Sequence, residues 1–381
     1  MHNQKRYQFA RMVMGLKSSS ATFTRMVMRL INGLGISDAL AFFIDDLLIF
    51  TRDVKSHIQI LSVLFARLKL GNLKLTPRKC RFLREEVEYV GITLTKEGVR
   101  MNDSRIEHIK NLEPPSNRAE LQSVLGMLNY SKKFCKGYSE IARPLYALLR
   151  KNKVFEWTED CQTAFQRLRE MLISSPVLAF PEVSDPENSY EVTLDGSKHA
   201  FGGTLTQMIK GKRRVIAYFS RKVPDHKRIW PQTQIEFETL YQTLKHFSVY
   251  LRGVKNFVVI TDCLPLLNIT TIFSKMSSSV IRKLQELANY TFTMQHISGK
   301  SNQMCDGLSR YKYQVYGKSR DLKRESIASI GTNSTFSQEA ALDGINRVTR
   351  EHYRCKHPIL FKRMQVPVIS ETAWLRMIAV I

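Results

Sequence analysis

Two adjacent carboxylates, Asp45 and Asp46, stand between apolar runs in Ala39-Leu40-Ala41-Phe42-Phe43-Ile44-Asp45-Asp46-Leu47-Leu48-Ile49-Phe50. Like charges forced together in a low-dielectric place raise each other's pKa unless a cation sits between them. A hard, oxygen-seeking divalent ion answers that need, and Mg²⁺ is the first expectation. A hairpin turn with two solvated aspartates stays open beside it, because Asp tolerates turn geometry. Four further acids lie far apart in the chain: Asp195, Glu236, Asp262 and Asp306. Asp195 ends the strand-like stretch Tyr190 to Leu194, Glu236 begins a helix, Asp262 follows Val258-Val259-Ile260-Thr261, and Asp306 sits in Met304-Cys305-Asp306-Gly307. Strand ends and helix starts are where a fold can gather such groups, although each acid alone reads most simply as a turn or cap residue.

The elements that must position them follow from periodicity. The β-branched and aromatic flanks of the Asp pair predict two short strands joined at the pair. Val54 to Leu70 carries apolar residues near helical spacing, with Gly71-Asn72 as its stop. Leu73-Lys74-Leu75 and Val87 to Val90 read as strands. Past Arg100 the pattern turns helical: Ser116 or Asn117 caps a helix bearing Leu121, Val124, Leu125 and Leu128, and another starts near Glu159 with Cys161, Phe165, Leu168 and Leu172 on one side. Lys132, Lys133 and Lys136 form a basic stretch that could meet phosphates or simply face water. From residue 189 the order changes to a strand at Tyr190 to Leu194 and a hairpin of Ala200 to Gln207 with Arg214 to Ser220. A helix at Gln234 to Leu251, a strand at Phe257 to Thr261, a helix near Ser279 to Asn289, a strand at Thr291 to His296 and a short last helix follow. That order predicts an α/β or α+β sheet.

Phe43-Ile44-Asp45-Asp46 resembles the aromatic-x-Asp-Asp hairpin of reverse transcriptases, with Phe where Tyr is usual. Met14-Gly15-Leu16-Lys17-Ser18-Ser19-Ser20-Ala21-Thr22-Phe23, the run Leu73 to Phe82 and Val87-Glu88-Tyr89-Val90-Gly91 are similar to successive blocks of gypsy-type LTR retrotransposons. The resemblance extends from about Tyr7 to Tyr311. It implies a partial reverse transcriptase palm over residues 1–98, a helical thumb and connection over 99–184, a ribonuclease H-like mixed five-stranded sheet with helices over 185–311, and a basic linker or tail of unknown fold over 312–381. Asp45 and Asp46 would be remnants of the polymerase metal site, with Phe43, Gly15 and Leu16 near substrate. Asp195, Glu236, Asp262 and Asp306 would hold two Mg²⁺ ions, or Mn²⁺, about 3.5–4 Å apart across a scissile phosphate. Glu238 competes with Glu236, and matching Trp230 to Glu236 against the family's Tyr-Ser-x-Thr-x-x-Glu favours Glu236. Cys263 stands where relatives usually have His. The implied partners are RNA·DNA hybrid and template-primer, with a homo-oligomer or a fuller Pol product possible. The first polymerase aspartate and the fingers would lie before this segment, so the polymerase half is expected to be truncated and inactive alone. The alternative is a decayed element product that binds nucleic acid without catalysis.

Bulk properties agree with these expectations. A 381-residue chain allows two or three domains, and 58 Lys+Arg against 34 Asp+Glu, a formal charge of +24, favours a polyanionic partner. No amphipathic basic helix with a wide apolar face, no leader and no apolar run of membrane-spanning length is legible, so a soluble, unsecreted protein of the cytoplasm or nucleus is expected. Six scattered cysteines fit reduced thiols. Ser326 to Ser337 reads as a linker, and His352-x-x-Cys355-x-His357 lacks the further ligands a zinc site needs.

Overall fold

The computed structural model describes residues 9, 12–13, 15–36, 39–182, 189–268 and 278–297, with the backbone of 334–336 and 376–380. It divides the chain into two compact units, residues 1–102 with 365–381 and residues 103–364.

In the first unit, helix α1 (Ser19–Ile31) precedes strands β1 (Leu40–Phe43) and β2 (Asp46–Thr51), which pair antiparallel, and helix α2 (Val54–Leu70) follows. Asp53 caps α2 by accepting the Ser56 N–H at 2.8 Å, which fixes the start that periodicity predicts. Val27 and Ile31 of α1, Leu47 and Ile49 of β2, and Leu64 and Leu68 of α2 form one buried cluster, so both helices cover the hairpin's apolar face. Leu73-Lys74-Leu75, expected as a strand, has no ladder partner; Leu73 and Leu75 pack against that same cluster. A 3-10 turn, Pro77–Lys79, leads into β3 (Arg81–Arg84). Strand β4 (Val87–Tyr89) pairs with β5 (Ile92–Thr95), and β5 with β6 (Gly98–Met101), in a three-stranded sheet separate from the hairpin's.

The second unit begins with helices α3 (Asp103–Lys110), α4 (Arg118–Tyr130), the short α5 (Tyr138–Ile141) and α6 (Arg143–Leu148), and α7 (Glu159–Ile173). Asn117 accepts the Glu120 N–H at 2.9 Å while Glu120 accepts the Ser116 N–H at 2.8 Å, a reciprocal cap at the expected place. Strands β7 (Tyr190–Gly196), β8 (Ala200–Ile209) and β9 (Lys212–Lys222) form an antiparallel meander; β10 (Phe257–Thr261) and β11 (Phe292–His296) then add in parallel beyond β7. The order is β9-β8-β7-β10-β11, the expected mixed five-stranded sheet, with β12 (Ser334–Phe336) antiparallel on the β11 edge. Helix α8 (Gln232–His246) crosses the sheet; the helix predicted to run unbroken to Leu251 stops at Phe247, and Ser248–Leu251 forms the separate α9. Helix α10 (Ser278–Leu287) completes the order. Val192, Leu194, Leu205, Leu240, Leu244, Val259, Leu284 and Phe292 lie in one core between sheet and helices.

Two expectations for the tail change. The end of the predicted linker is strand β12, and β13 (Arg376–Val380) pairs antiparallel with both β2 and β3 in the first unit. The predicted last helix, Asp306 and the His352–His357 stretch lie outside the described residues.

Candidate active site

Three acids from three elements meet at one end of the sheet of the second unit. Strands β7 and β10 run parallel with Ile260 opposite Thr193; two residues on, that register sets Asp262 beside Asp195. Asp195 is still on β7, across from Gly202 of β8. Both aspartates are exposed. Glu236, on the first turns of α8, is only 3% exposed and comes down on the same place. The approach is close enough that a Cβ on Gly196 would lie 2.6 Å from Glu236 Oε2. A Cβ there would displace the Glu236 carboxylate or the Thr239 hydroxyl, so the missing side chain at Gly196 leaves Glu236 room beside β7.

Glu236 is held by one oxygen and left open by the other. Gln232, one turn earlier on α8, donates its Nε2 to Oε1 at 2.7 Å, whereas buried Oε2 has no hydrogen-bond partner among the described residues. Burial raises the carboxyl, the Gln232 hydrogen bond lowers it, and the charges of Asp262 and Asp195 raise it again; the result is a pKa pushed up to about 7. A buried carboxylate with an orphaned oxygen facing two more acids has the chemistry of a divalent-cation ligand. Among the described residues, no three His, Cys, Asp or Glu side chains close tightly on a single point, these three included.

Glu238, the other helix candidate, is 1% exposed and fully engaged. Lys227 and Lys283 reach it at 2.8 and 2.5 Å, and Gln242 donates to it at 2.9 Å. Burial pushes its pKa up, but hydrogen bonds from Lys227, Lys283 and Gln242 and the charge of Lys283 outweigh it, so the carboxyl stays below its ordinary range. Glu236 faces the aspartates; Glu238 ties α8 to α10 and to the 3-10 turn Asp225–Lys227. Cys263 borders the acids: its thiol is raised by burial, then by Glu236 and Asp262. Beside it, His296 Nε2 lies 3.2 Å from the Asp262 carbonyl oxygen.

The first unit holds the other acid pair. Asp45 occupies the two-residue turn with Ile44, and Asp46 starts β2 opposite Phe43. Ile44 has φ 53, a left-handed conformation that a β-branched residue adopts only under constraint. Burial and the Asp45 charge raise the Asp46 carboxyl, and Tyr89, raised to about 12 by burial and then by Asp46, is its electrostatic neighbour. Gly15, at φ 90, and Leu16, largely exposed, form the turn that leads into α1. Among the described residues no hydrogen bond or ion pair ties Gly15, Leu16 or half-buried Phe43 to the Asp pair.

Sequence reasoning missed Gln232, Gly196, Tyr89 and the Lys227–Glu238–Lys283 bridge. Gln232 had a signal, since a residue four before a buried acid on a helix lies on the same face. The others depend on contacts between elements distant in sequence.

The β9-β8-β7-β10-β11 order with acids at the ends of its two central strands defines a ribonuclease H-like domain. Residues 157–259 match the family described as an RNase H-like domain found in reverse transcriptase, and residues 1–94 match reverse transcriptase (RNA-dependent DNA polymerase). The chain is 33% identical over 306 residues, 80% of its length and 24% of the relative's, to the retrovirus-related Pol polyprotein from transposon 412 of Drosophila melanogaster. Identity to the corresponding polyprotein from transposon opus of the same organism is 28%, covering 93% of this chain and 38% of that one. The foamy viral protease-reverse transcriptase solved with an RNA/DNA hybrid superposes with a TM-score of 0.62 at 23% identity, covering 82% of this chain and 42% of that one. The chain thus carries reverse transcriptase and RNase H-like domains, and its homologues are Pol polyproteins of LTR retrotransposons. It spans between 24% and 38% of the length of these two polyproteins.

Proposed function

We propose that the second unit hydrolyses the RNA strand of RNA·DNA hybrids with Mg²⁺, or Mn²⁺, held by Asp195, Glu236 and Asp262, with Asp306 as a fourth ligand. The observation that carries this reading is the buried, unpartnered Oε2 of Glu236 facing Asp195 and Asp262. Two divalent ions bound there would supply a water nucleophile and stabilise the leaving oxygen of the scissile phosphate. The chain's own part is to hold three ionisable oxygens in place: Gln232 orients Glu236, Gly196 lets it approach, and the parallel β7–β10 register aligns the aspartates. A carboxyl whose pKa sits near 7 gives up its proton readily when a cation arrives.

Nucleic acid is the proposed partner of the first unit as well, through the Asp45–Asp46 hairpin.

The test is gel-resolved cleavage of end-labelled RNA annealed to DNA, with Mg²⁺ and with EDTA. Metal-dependent products that vanish in Asp262→Asn, with hybrid binding retained, are the expected result. A folded chain that binds hybrid and cuts nothing with either metal would make this a binding protein.

A further inference from the structure

The helical part of the second unit carries two cations, Arg105 and Lys133, that no acid pairs with among the described residues. Arg105, on the first turn of α3, lays its guanidinium 4.1 Å from the centre of the Tyr130 ring at the end of α4. Lys133, in the 3-10 turn Lys132–Phe134 that follows α4, puts its Nζ 5.3 Å from the centre of the Phe134 ring. Both side chains are half-buried, and among the described residues neither makes an ion pair or hydrogen bond with an acid. Lys227 and Lys283, at 18% and 17% side-chain exposure, are both spent on Glu238. The Lys133 ammonium is pushed down to about 8, by burial first and then by the charge of Arg105. Arg105 sits on the ring three residues before Lys133, and two half-buried cations there with no acid among the described residues cost the fold stability. The aromatic faces recover part of that cost.

We infer that Arg105 and Lys133 form a phosphate-binding site, separate from the acid cluster, that grips one backbone phosphate of a bound nucleic-acid strand. A planar guanidinium fork beside a point-charge ammonium matches the two free oxygens of a phosphodiester. The aromatic rings under both cations fix their positions without competing as acceptors. A single like-charged pair also suits a single phosphate better than a chelated metal or an apolar ligand. The inference rests on the nucleic-acid reading above and adds to it a contact remote in sequence from every acid of the cleavage site.

The experiment uses the full chain in EDTA, so that no hydrolysis intervenes, and follows anisotropy of a fluorescent RNA·DNA hybrid across a salt series. Neutralising one phosphate contact lowers the slope of log K against log salt by about 0.9. The double variant Arg105→Gln/Lys133→Gln should lose about that much slope and weaken binding equally for unrelated sequences. Arg105→Lys/Lys133→Arg should retain it, and Lys151→Gln/Lys153→Gln, which removes the same charge from exposed positions, should change the slope by less than half as much. The melting temperature of the Gln pair should hold or rise, since two uncompensated charges are gone. An unchanged slope in that variant, a slope loss matched by the Lys151/Lys153 control, or no hybrid binding by the unsubstituted chain would each overturn the site. A chain that binds hybrid without cutting it sinks the nuclease reading while the slope measurement still supports this site; a chain that cuts with a slope indifferent to both cations sinks this site alone.

Discussion

The chain carries two acid sites built in opposite ways. In the first unit Asp45 and Asp46 are neighbours in the chain, set by a two-residue turn, and their proximity costs only the local strain at Ile44. In the second, Asp195, Glu236 and Asp262 come from two strands and a helix and meet only after the sheet and α8 have packed. The first arrangement is cheap and legible but brings together only two carboxylates. The second spends core packing on placing a buried carboxylate with an unpartnered oxygen, and such a group persists only where something else gains from it.

The contrast breaks most plainly at the aspartates. Asp195→Asn and Asp262→Asn should each slow hybrid cleavage at least about a hundredfold, while Asp45→Asn/Asp46→Asn should leave the rate where it was. A comparable loss from the hairpin variant, in the same cleavage assay, would merge the two sites into one.

A second contrast lies within α8. Glu238→Gln leaves Lys227 and Lys283 without their counter-charge, and the expected cost is about 3 kcal/mol in a denaturant titration. Because the folded pKa of Glu238 is lowered, its contribution is present above the ordinary carboxylate pKa and is lost as pH falls through the folded value. The unsubstituted chain should therefore lose stability on acidification, and Glu238→Gln should flatten that limb; identical acid limbs would refute the bridge. A smaller effect is expected at Gln232. Changed to Ala, it should cost about tenfold in cleavage, as partners that orient a ligand do, with the melting temperature nearly unchanged.

Much of this was legible. Helices α2, α4 and α7 follow from apolar spacing, and α4 also from its cap at Asn117; the structure adds caps at Asp53 and Thr158, each accepting a backbone N–H from the first turn of its helix. The order of the five-stranded sheet follows from the hairpin, the alternation of later elements and the resemblance. What failed were segments whose pattern serves something other than its usual partner. Leu73 and Leu75 alternate like a strand because they pack against the α1–α2–hairpin cluster, not because they pair. Strands β12 and β13 are short, and their ladders join residues far apart in sequence. Glu236 and Glu238 could not be separated by periodicity, since both fall in a helix stretch buried on every side from Ile235 to Tyr241. Two positions along a helix turn a side chain about 200°, so one glutamate faces the aspartates and the other the lysines.

That separation supports the most direct test of the account: cleavage rate and melting temperature measured on the same preparations of Glu236→Gln and Glu238→Gln. The account predicts a crossed result. Glu236→Gln should abolish metal-dependent cleavage while its metal-free melting temperature at pH 8 holds or rises, because an ionised, half-satisfied carboxylate has been removed from burial; Glu238→Gln should melt lower and, while folded, still cut. Cleavage that survives Glu236→Gln and is lost in folded Glu238→Gln would contradict it.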